Sequence, residues 1–243
     1  MAVSPRRGFT RAAVALLCVT TIDLSFFVRP AFADCATEET RFVIQNAAGE
    51  YAYGSTNVIN VKDHDIAGCG GGFNFFATSH LRNSTGDKWV EVGYTDTVNG
   101  LGQEIWQIFI EGGINGNNAT CGPSFSYLIS PGRDDKFRVT NVPGTNNFNL
   151  YVDYGSGWVS IGSCTNTFSH GWAYGETGRY GGTATGAGDD HKSLQYKDSS
   201  GTWKNWADNH EAACGNPCLS NWHYDWCSTT RYQVFRDGSG NSC

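Results

Sequence analysis

The stretch KWVEVGYTDTVNGLGQEIWQIFI, residues 88–110, holds the pattern from which the fold is predicted. It contains two runs, KWVEVGY and EIWQIFI, in which β-branched and aromatic residues follow a period of two, and a segment with Asn-Gly and a further glycine separates them. Because successive side chains of a strand point to opposite faces, this period indicates two half-buried strands joined by a turn.

Short runs of the same kind recur along the rest of the chain and are likewise separated by turn residues. They are RFVIQ (41–45), SYLIS (126–130), KFRVT (136–140), FNLYVDY (148–154), GWVSI (157–161), GWAYGE (171–176), SLQYK (193–197) and RYQVF (231–235). SLQYKDSSGTWKNW predicts a hairpin across 198–201, whereas NWADNHEAA (205–213) is at most one short helix. About ten strands in one domain predict an all-β, antiparallel β-sandwich of the jelly-roll type.

Residues 1–33 have the features of an export signal. A basic start with Arg6 and Arg7 precedes an apolar run that is short for a membrane span, and AFA at 31–33 is a small-x-small cleavage pattern. The arginine pair resembles a twin-arginine signal. We therefore expect a secreted, extracellular protein whose mature part, 34–243, is a single β-sandwich domain without membrane insertion.

Composition limits the classes of partner. The formal net charge is −6 and the chain has no basic cluster, which argues against nucleic acid. The expected partner is an extracellular polymer, either a protein or a glycan. No cofactor and no metal site are predicted. KDHD (62–65) and GAGDDH (186–191) contain oxygens that could bind calcium, but neither matches a calcium-loop pattern, and both are expected to be solvated loops.

Cysteine usage agrees with export. One of the nine cysteines lies in the predicted signal, and an even number in an exported chain indicates four disulfides. We expect Cys35–Cys69 and Cys121–Cys164, with Cys214, Cys218, Cys227 and Cys243 stapling the C-terminal loop. A zinc knuckle is the alternative for Cys214, Cys218, His223 and Cys227, but both outer spacings differ from that pattern by one residue.

Strand parity predicts a candidate site. In HGWAYGETGRYGG (170–182), the side chains of Trp172, Tyr174 and Glu176 share one face. In WVEVGY the valines are expected to face the core, which places Trp89 and Glu91 on the other side.

A third strand, EIWQIFIEGG, adds Gln107, Phe109 and Glu111 on one face. These faces predict a groove with an aromatic floor and acidic groups, in which the substrate-binding residues are Trp89, Trp172, Tyr174, Gln107 and Phe109.

The chemistry expected of this groove is hydrolysis. A carboxylate beside aromatic rings loses hydration, which raises its pKa. If Glu91 and Glu176 are close, repulsion between like charges also separates their titrations, so that one is a base while the other remains an acid.

Three of these strands show a resemblance to a known family. WVEVGY resembles the strand of the eqolisin glutamic peptidases that has the pattern Leu-Gln-Thr-Gly and carries the catalytic glutamine. WAYGETG is similar to the later strand in which the catalytic glutamate lies within Ala-Glu-Trp, and EIWQIFIEGG is similar to the strand between them.

The resemblance implies a concanavalin A-like double sheet with the site on its concave face. Glu176 would be the general base that activates water, and Glu91 would take the place of the glutamine. An ionised Glu91 cannot donate a hydrogen bond to an oxyanion, so it would have to stay protonated, and activity should favour acidic pH. Thr177 stands where the family has tryptophan.

Two other interpretations of the same residues remain open. An aromatic platform with acidic groups also binds sugars, either in a non-catalytic lectin-like protein or in a glycosidase, although no Glu-x-Asp-x-x-Glu motif is present. Alternatively, both glutamates are solvated residues on the outer face of a sheet. The histidines, among them His80, are scattered without metal-ligand spacing.

Overall fold

The computed structural model describes residues 39–46, 51–64, 75–99, 101–114, 117–180, 189–206, 210–214 and 222–236. All of them belong to one unit, Phe32–Cys243. Within these ranges the chain forms fifteen strands and no helix. No helix long and apolar enough to cross a bilayer occurs in the described part. The predicted signal, Cys35, Cys69, Cys218 and Cys243 lie outside it.

The strands range from three residues in β12 to 13 residues in β6. Their bounds are β1 Glu39–Asn46, β2 Gly54–Asn60, β3 Phe75–Arg82, β4 Lys88–Val98, β5 Glu104–Ile114, β6 Asn117–Ile129, β7 Asp134–Asn141, β8 Asn147–Asp153, β9 Trp158–Thr165, β10 Trp172–Tyr180, β11 Asp190–Lys197, β12 Trp203–Asn205, β13 His210–Cys214, β14 Trp222–Ser228 and β15 Arg231–Arg236.

The strands form two antiparallel sheets. The first has the order β13-β1-β10-β3-β4-β5-β6, and the second has the order β14-β15-β11-β2-β7-β8-β9 with β12 paired to β11. Side chains of the two sheets meet, for example where Ser79 donates a hydrogen bond to Ser55 and Tyr94 donates one to Asp189. The predicted all-β antiparallel sandwich is therefore present.

The core lies between the sheets and follows the period of two read from the sequence. Val90, Val92 and Tyr94 of β4 are fully buried there, and they face alternate residues of the second sheet such as Phe137 and Leu150. Every second residue of β4, including Glu91, consequently points to the opposite face of the first sheet. This face, which turns away from the second sheet, is called the outer face below.

A disulfide joins the two sheets. Cys121 of β6 is bonded to Cys164 of β9, which is one of the pairings expected from the sequence. Cys227 of β14 is also disulfide-bonded. These bonds fit the expectation that cysteines staple the sandwich.

The ten predicted runs all coincide with strands, and β11 and β12 form the predicted hairpin. The short helix predicted at 205–213 is wrong where it is described, because His210–Cys214 is strand β13 and pairs with β1. Strands β2, β3, β13 and β14 were not predicted. In β2 the buried positions include polar residues such as Thr56 and Asn57, which donate to Phe137 O and Thr78 O and so do not show as an apolar pattern.

The two expected solvated loops are partly wrong. His64, Asp189, Asp190 and His191 are buried, and only Asp63 of the described residues in these two stretches is exposed. Internal hydrogen bonds compensate for this burial, since His64 N donates to Asp96 and Asp189 accepts from Tyr94.

Candidate functional site

Three neighbouring strands, β10, β3 and β4, bring Glu176, His80 and Glu91 together on the outer face. His80 of β3 lies directly opposite Glu91 of β4, and Glu176 of β10 lies opposite Thr78, two residues from His80. Residues at i and i+2 of a strand share a face, so the antiparallel register places all three side chains side by side.

The two carboxylates converge on one ring nitrogen. His80 Nδ1 lies 3.0 Å from Glu176 Oε2 and 3.9 Å from Glu91 Oε2. One oxygen of each carboxylate and one ring nitrogen all lie within 4.8 Å of one another. Glu91 and Glu176, separated by 85 positions in the sequence, are thus a close pair, which is the condition that the expected acid–base chemistry requires.

All three side chains are buried although they lie on the outer face. The exposed fractions are 3% for His80, 7% for Glu91 and 3% for Glu176. The interpretation of the two glutamates as solvated outer-face residues is therefore wrong. A buried cluster of ionisable groups is costly for a fold, and such clusters concentrate where acid–base chemistry is needed.

The charges of this cluster suit proton transfer. When Nδ1 carries a proton, it donates a hydrogen bond to Glu176 and favours the ionised form of that carboxylate. Like charges within about 5 Å of each other repel, which favours states in which one of the two carboxyl groups holds a proton. The cluster can therefore present one base and one acid side by side.

One aromatic ring lies beside the cluster, and others lie along the same face. The Tyr174 ring centroid lies 5.5 Å from that of His80. The Trp89 ring lies over Gly113, where an added Cβ would meet its Cη2 at 2.0 Å, so the glycine lets this ring lie along the sheet. Phe109 packs edge-on against Phe76 at 6.2 Å.

The predicted substrate-binding residues occupy different parts of this face. Tyr174 is beside the carboxylate pair. Trp89 is two residues from Glu91 and Trp172 is four residues from Glu176 along their strands, and both tryptophans are half-buried. Phe109 is 1% exposed and lies opposite Gly93, two residues from Glu91, on the same face. Gln107 lies opposite Thr95, four residues from Glu91 and about 13 Å along the strand, so it is remote from the pair.

His80 is the member of the site that sequence analysis missed. Its strand, FFATSHLR, is buried at seven of eight positions and so shows no alternation of apolar and polar residues. Assigning 75–82 as a strand between the two glutamate strands would have given the signal, because parity then places His80 on their face.

A second polar cluster supports Glu176 from the core side of β10. Thr177 lies next to Glu176 in sequence, and its Oγ1 is 2.9 Å from His191 Nε2. Asn57 Nδ2 contacts His191 Nδ1 at 3.0 Å and donates to Thr78 O at 3.1 Å. Burial lowers the pKa of His191 to about 4, so the ring is neutral with its proton on Nε2, directed at Thr177.

The site also has the donor set of a metal centre. His80, Glu91 and Glu176 each offer one ligand atom within the 4.8 Å span, and one nitrogen with two carboxylate oxygens is a set that suits zinc. This possibility gives the functional test a control with a chelator.

No family model matches this chain, and neither does any curated protein. Among solved structures, the chain is similar to SCP-B, a member of the eqolisin family of peptidases whose structure was determined in a complex with the tripeptide Ala-Ile-His. The similarity covers 82% of this chain and 98% of SCP-B, with a TM-score of 0.56 and 11% identity. The chain therefore shares the fold of an eqolisin-family peptidase, as the resemblance of its strand motifs implied.

Proposed function

We propose that the protein is an exported hydrolase of the glutamic peptidase type, which cleaves proteins at acidic pH. The observation that carries this proposal is the convergence of Glu91 and Glu176 on His80, buried on one face of a sheet, in a fold shared with an eqolisin-family peptidase. The whole-chain likeness supports the fold alone, and the roles of the residues follow from their geometry and from the strand motifs.

In the proposed reaction, Glu176 is the general base. It takes a proton from water as the water oxygen bonds to the peptide carbonyl carbon, and it returns that proton to the leaving amine as the C–N bond breaks. His80, through its hydrogen bond to Oε2, orients the Glu176 carboxylate.

Glu91 has the second role. In its protonated form it donates a hydrogen bond to the oxyanion of the tetrahedral intermediate, which an ionised carboxylate cannot do. The requirement for one ionised and one protonated carboxyl group restricts activity to acidic pH.

The first test is cleavage of a denatured protein by the purified chain between pH 2 and 8. Wild type should cleave at acidic pH, and Glu176→Gln should lose at least 100-fold in kcat because an amide cannot accept the proton. Glu111→Gln is the matched control, since Glu111 is a glutamate opposite Glu91 in β5 that has no role in the proposed reaction. Full activity in Glu176→Gln would contradict the proposal.

Glu91→Gln gives a sharper result. It restores the residue that the resemblance places at this position, and an amide donates a hydrogen bond at every pH. Activity should survive and extend to higher pH than in wild type. A chelator should leave cleavage unchanged, whereas loss with EDTA and recovery with zinc would identify a metallohydrolase instead.

A second candidate function, glycan binding, is favoured by the ring of Tyr51. This ring is 53% exposed and lies 6.4 Å from Trp172 and 4.9 Å from His170. An exposed ring beside a half-buried tryptophan is a surface on which a sugar can stack. Under this function, Trp172→Ala should lose retention on immobilised glycans, and Glu176→Gln should keep it.

A further inference from the structure

A second group of carboxylates lies away from the candidate active site, on the side of β4 that faces the second sheet. Asp96 shares this side with Val92 and Tyr94, and Glu104 is the first residue of the neighbouring strand β5. Asp63 follows β2 of the second sheet. One carboxylate oxygen from each residue lies within 4.8 Å of the other two.

Asp96 is the innermost of the three. It is fully buried, and its Oδ2 accepts a hydrogen bond from His64 N at 3.1 Å. Its Oδ1 has no hydrogen-bond partner among the described residues. A buried carboxylate oxygen in this condition is destabilising unless a cation or a proton occupies the space beside it.

The positions of the other two carboxylates are fixed around Asp96. Val98 pairs with Glu104 and Asp96 pairs with Trp106, so the antiparallel register places Glu104 diagonally beside Asp96. Trp106 Nε1 donates to Lys62 O at 3.0 Å, which holds the segment carrying Asp63 against β5. Asp63 is exposed and Glu104 is half-buried, so the cluster leads from solvent to the buried oxygen.

We propose that Asp63, Asp96 and Glu104 bind a calcium ion that joins the two sheets at this end of the sandwich. The ligands are oxygens only, which favours a hard cation over zinc. Calcium binds oxygens at about 2.3–2.6 Å, so two of its ligands lie up to about 5 Å apart, which fits the observed span. Three carboxylates supply up to six oxygens, and water can complete the coordination.

The alternative occupant is a proton shared between Asp96 and Glu104. Burial, together with the charges of Glu104 and Asp63, raises the pKa of Asp96 to about 8 when no cation is bound. A proton and calcium therefore compete for the same oxygens, and the competition provides a way to tell them apart.

The test is the melting temperature of the full chain at pH 7.5, after removal of metal with EDTA and during titration with CaCl₂. We expect an increase of roughly 5–10 °C when calcium is about 100-fold above its Kd. Terbium can replace calcium as a luminescent probe, with Trp106 as the sensitiser. Asp87→Asn, which removes a carboxylate elsewhere on the first sheet, should keep the full response to calcium.

Substitutions in the cluster should change the melting temperature differently in EDTA and in calcium. Asp96→Asn should melt higher than wild type in EDTA, because an amide is neutral in this buried position without having to bind a proton, and should lose the response to calcium. Should this variant fail to fold, Asp63→Asn serves in its place, since Asp63 is exposed and its loss should weaken calcium binding at least 10-fold.

The proposal is overturned if calcium leaves the melting temperature of wild type unchanged at pH 7.5. It is also overturned if Asp96→Asn or Asp63→Asn responds to calcium as wild type does. Stabilisation of wild type on acidification to pH 5, without any response to calcium, would assign the space to a shared proton.

Discussion

His80 decides how the two glutamates of the candidate site coexist. Its Nδ1 is 3.0 Å from Glu176 and 3.9 Å from Glu91, so a single imidazole contacts both acidic groups. Neither glutamate could be buried at low cost without a cationic or hydrogen-bonding neighbour. His80 is thus a positioning residue for the proposed reaction.

Replacement of His80 by alanine should lower kcat at least 10-fold with little change in KM, because the base loses the group that orients it. The melting temperature of the variant should also fall further below that of wild type at pH 7 than at pH 4, since two buried carboxylates repel each other when both are ionised. His80→Gln, whose amide can donate to Glu176, should recover part of both losses. His170→Ala is the control, and an equal loss at both pH values in His80→Ala would contradict this role.

The sequence predicted which face of a strand a residue occupies where apolar and polar residues alternate clearly. The valines of β4 identified the core side, and parity then placed Glu91 opposite them and Glu176 on the face of Trp172 and Tyr174. It could not identify His80, because β3 is buried on both faces and small or polar residues replace the alternation. It also missed Asp96, since burial of this aspartate depends on neighbours from β5 and from the end of β2.

Strand β10 carries Glu176 and depends on close packing against β15. A Cβ on Gly175 would lie 2.1 Å from Tyr232 Oη and 3.0 Å from Cζ of the same ring. The glycine therefore allows β10 to pack directly against the Tyr232 ring. This close packing sets the position of the adjacent Tyr174 and Glu176, whose side chains point to the outer face.

Gly175→Ala should destabilise the fold by roughly 2 kcal/mol through overpacking. The hydroxyl is the nearest obstacle, so the double variant Gly175→Ala/Tyr232→Phe should recover most of this loss. Tyr232→Phe alone should be neutral or stabilising, because Tyr232 Oη is buried without a hydrogen-bond partner in the described part of the chain. Urea unfolding of the four proteins measures the coupling, and the absence of any recovery would show that the clash is not with the hydroxyl.

The elements themselves were largely predictable, and their order in the sheets was not. Turn residues and a period of two located ten of the strands. In the first sheet β3 lies between β4, its neighbour in sequence, and β10, which is distant in sequence. The pairing of β3 with β10 is long-range, so a local sequence pattern cannot predict it. The geometry of the candidate site depends on this placement of β3.

For the whole molecule, the acidic working pH that the proposed function requires has to be reconciled with stability. The disulfide between Cys121 and Cys164 closes 43 residues and holds one sheet to the other, which in the chain-entropy account contributes roughly 4 kcal/mol. This constraint acts at every pH. Its contribution to stability offsets the stability that is lost at low pH when groups such as His191 bind protons more readily in the unfolded chain.

Acid destabilisation should depend on His191. Burial lowers its pKa to about 4, although the carboxylates of Asp189 and Asp190 act in the opposite direction. In the unfolded chain the ring binds a proton near pH 6.5, so the unfolded state binds more protons between about pH 6.5 and 4. Stability should therefore fall as the pH falls through this window, by up to roughly 3 kcal/mol, with no further loss from this group below pH 4.

His191→Gln isolates this effect. At pH 8 the variant should be less stable than wild type, because it loses the stack of His191 on Tyr232, whose centroids are 4.4 Å apart. At pH 4.5 the difference should shrink or reverse, since glutamine does not titrate. Urea unfolding of both proteins at the two pH values gives the comparison, with His170→Gln as the control. A difference that is the same at pH 8 and pH 4.5 would mean that His191 does not set the acid limit of the fold.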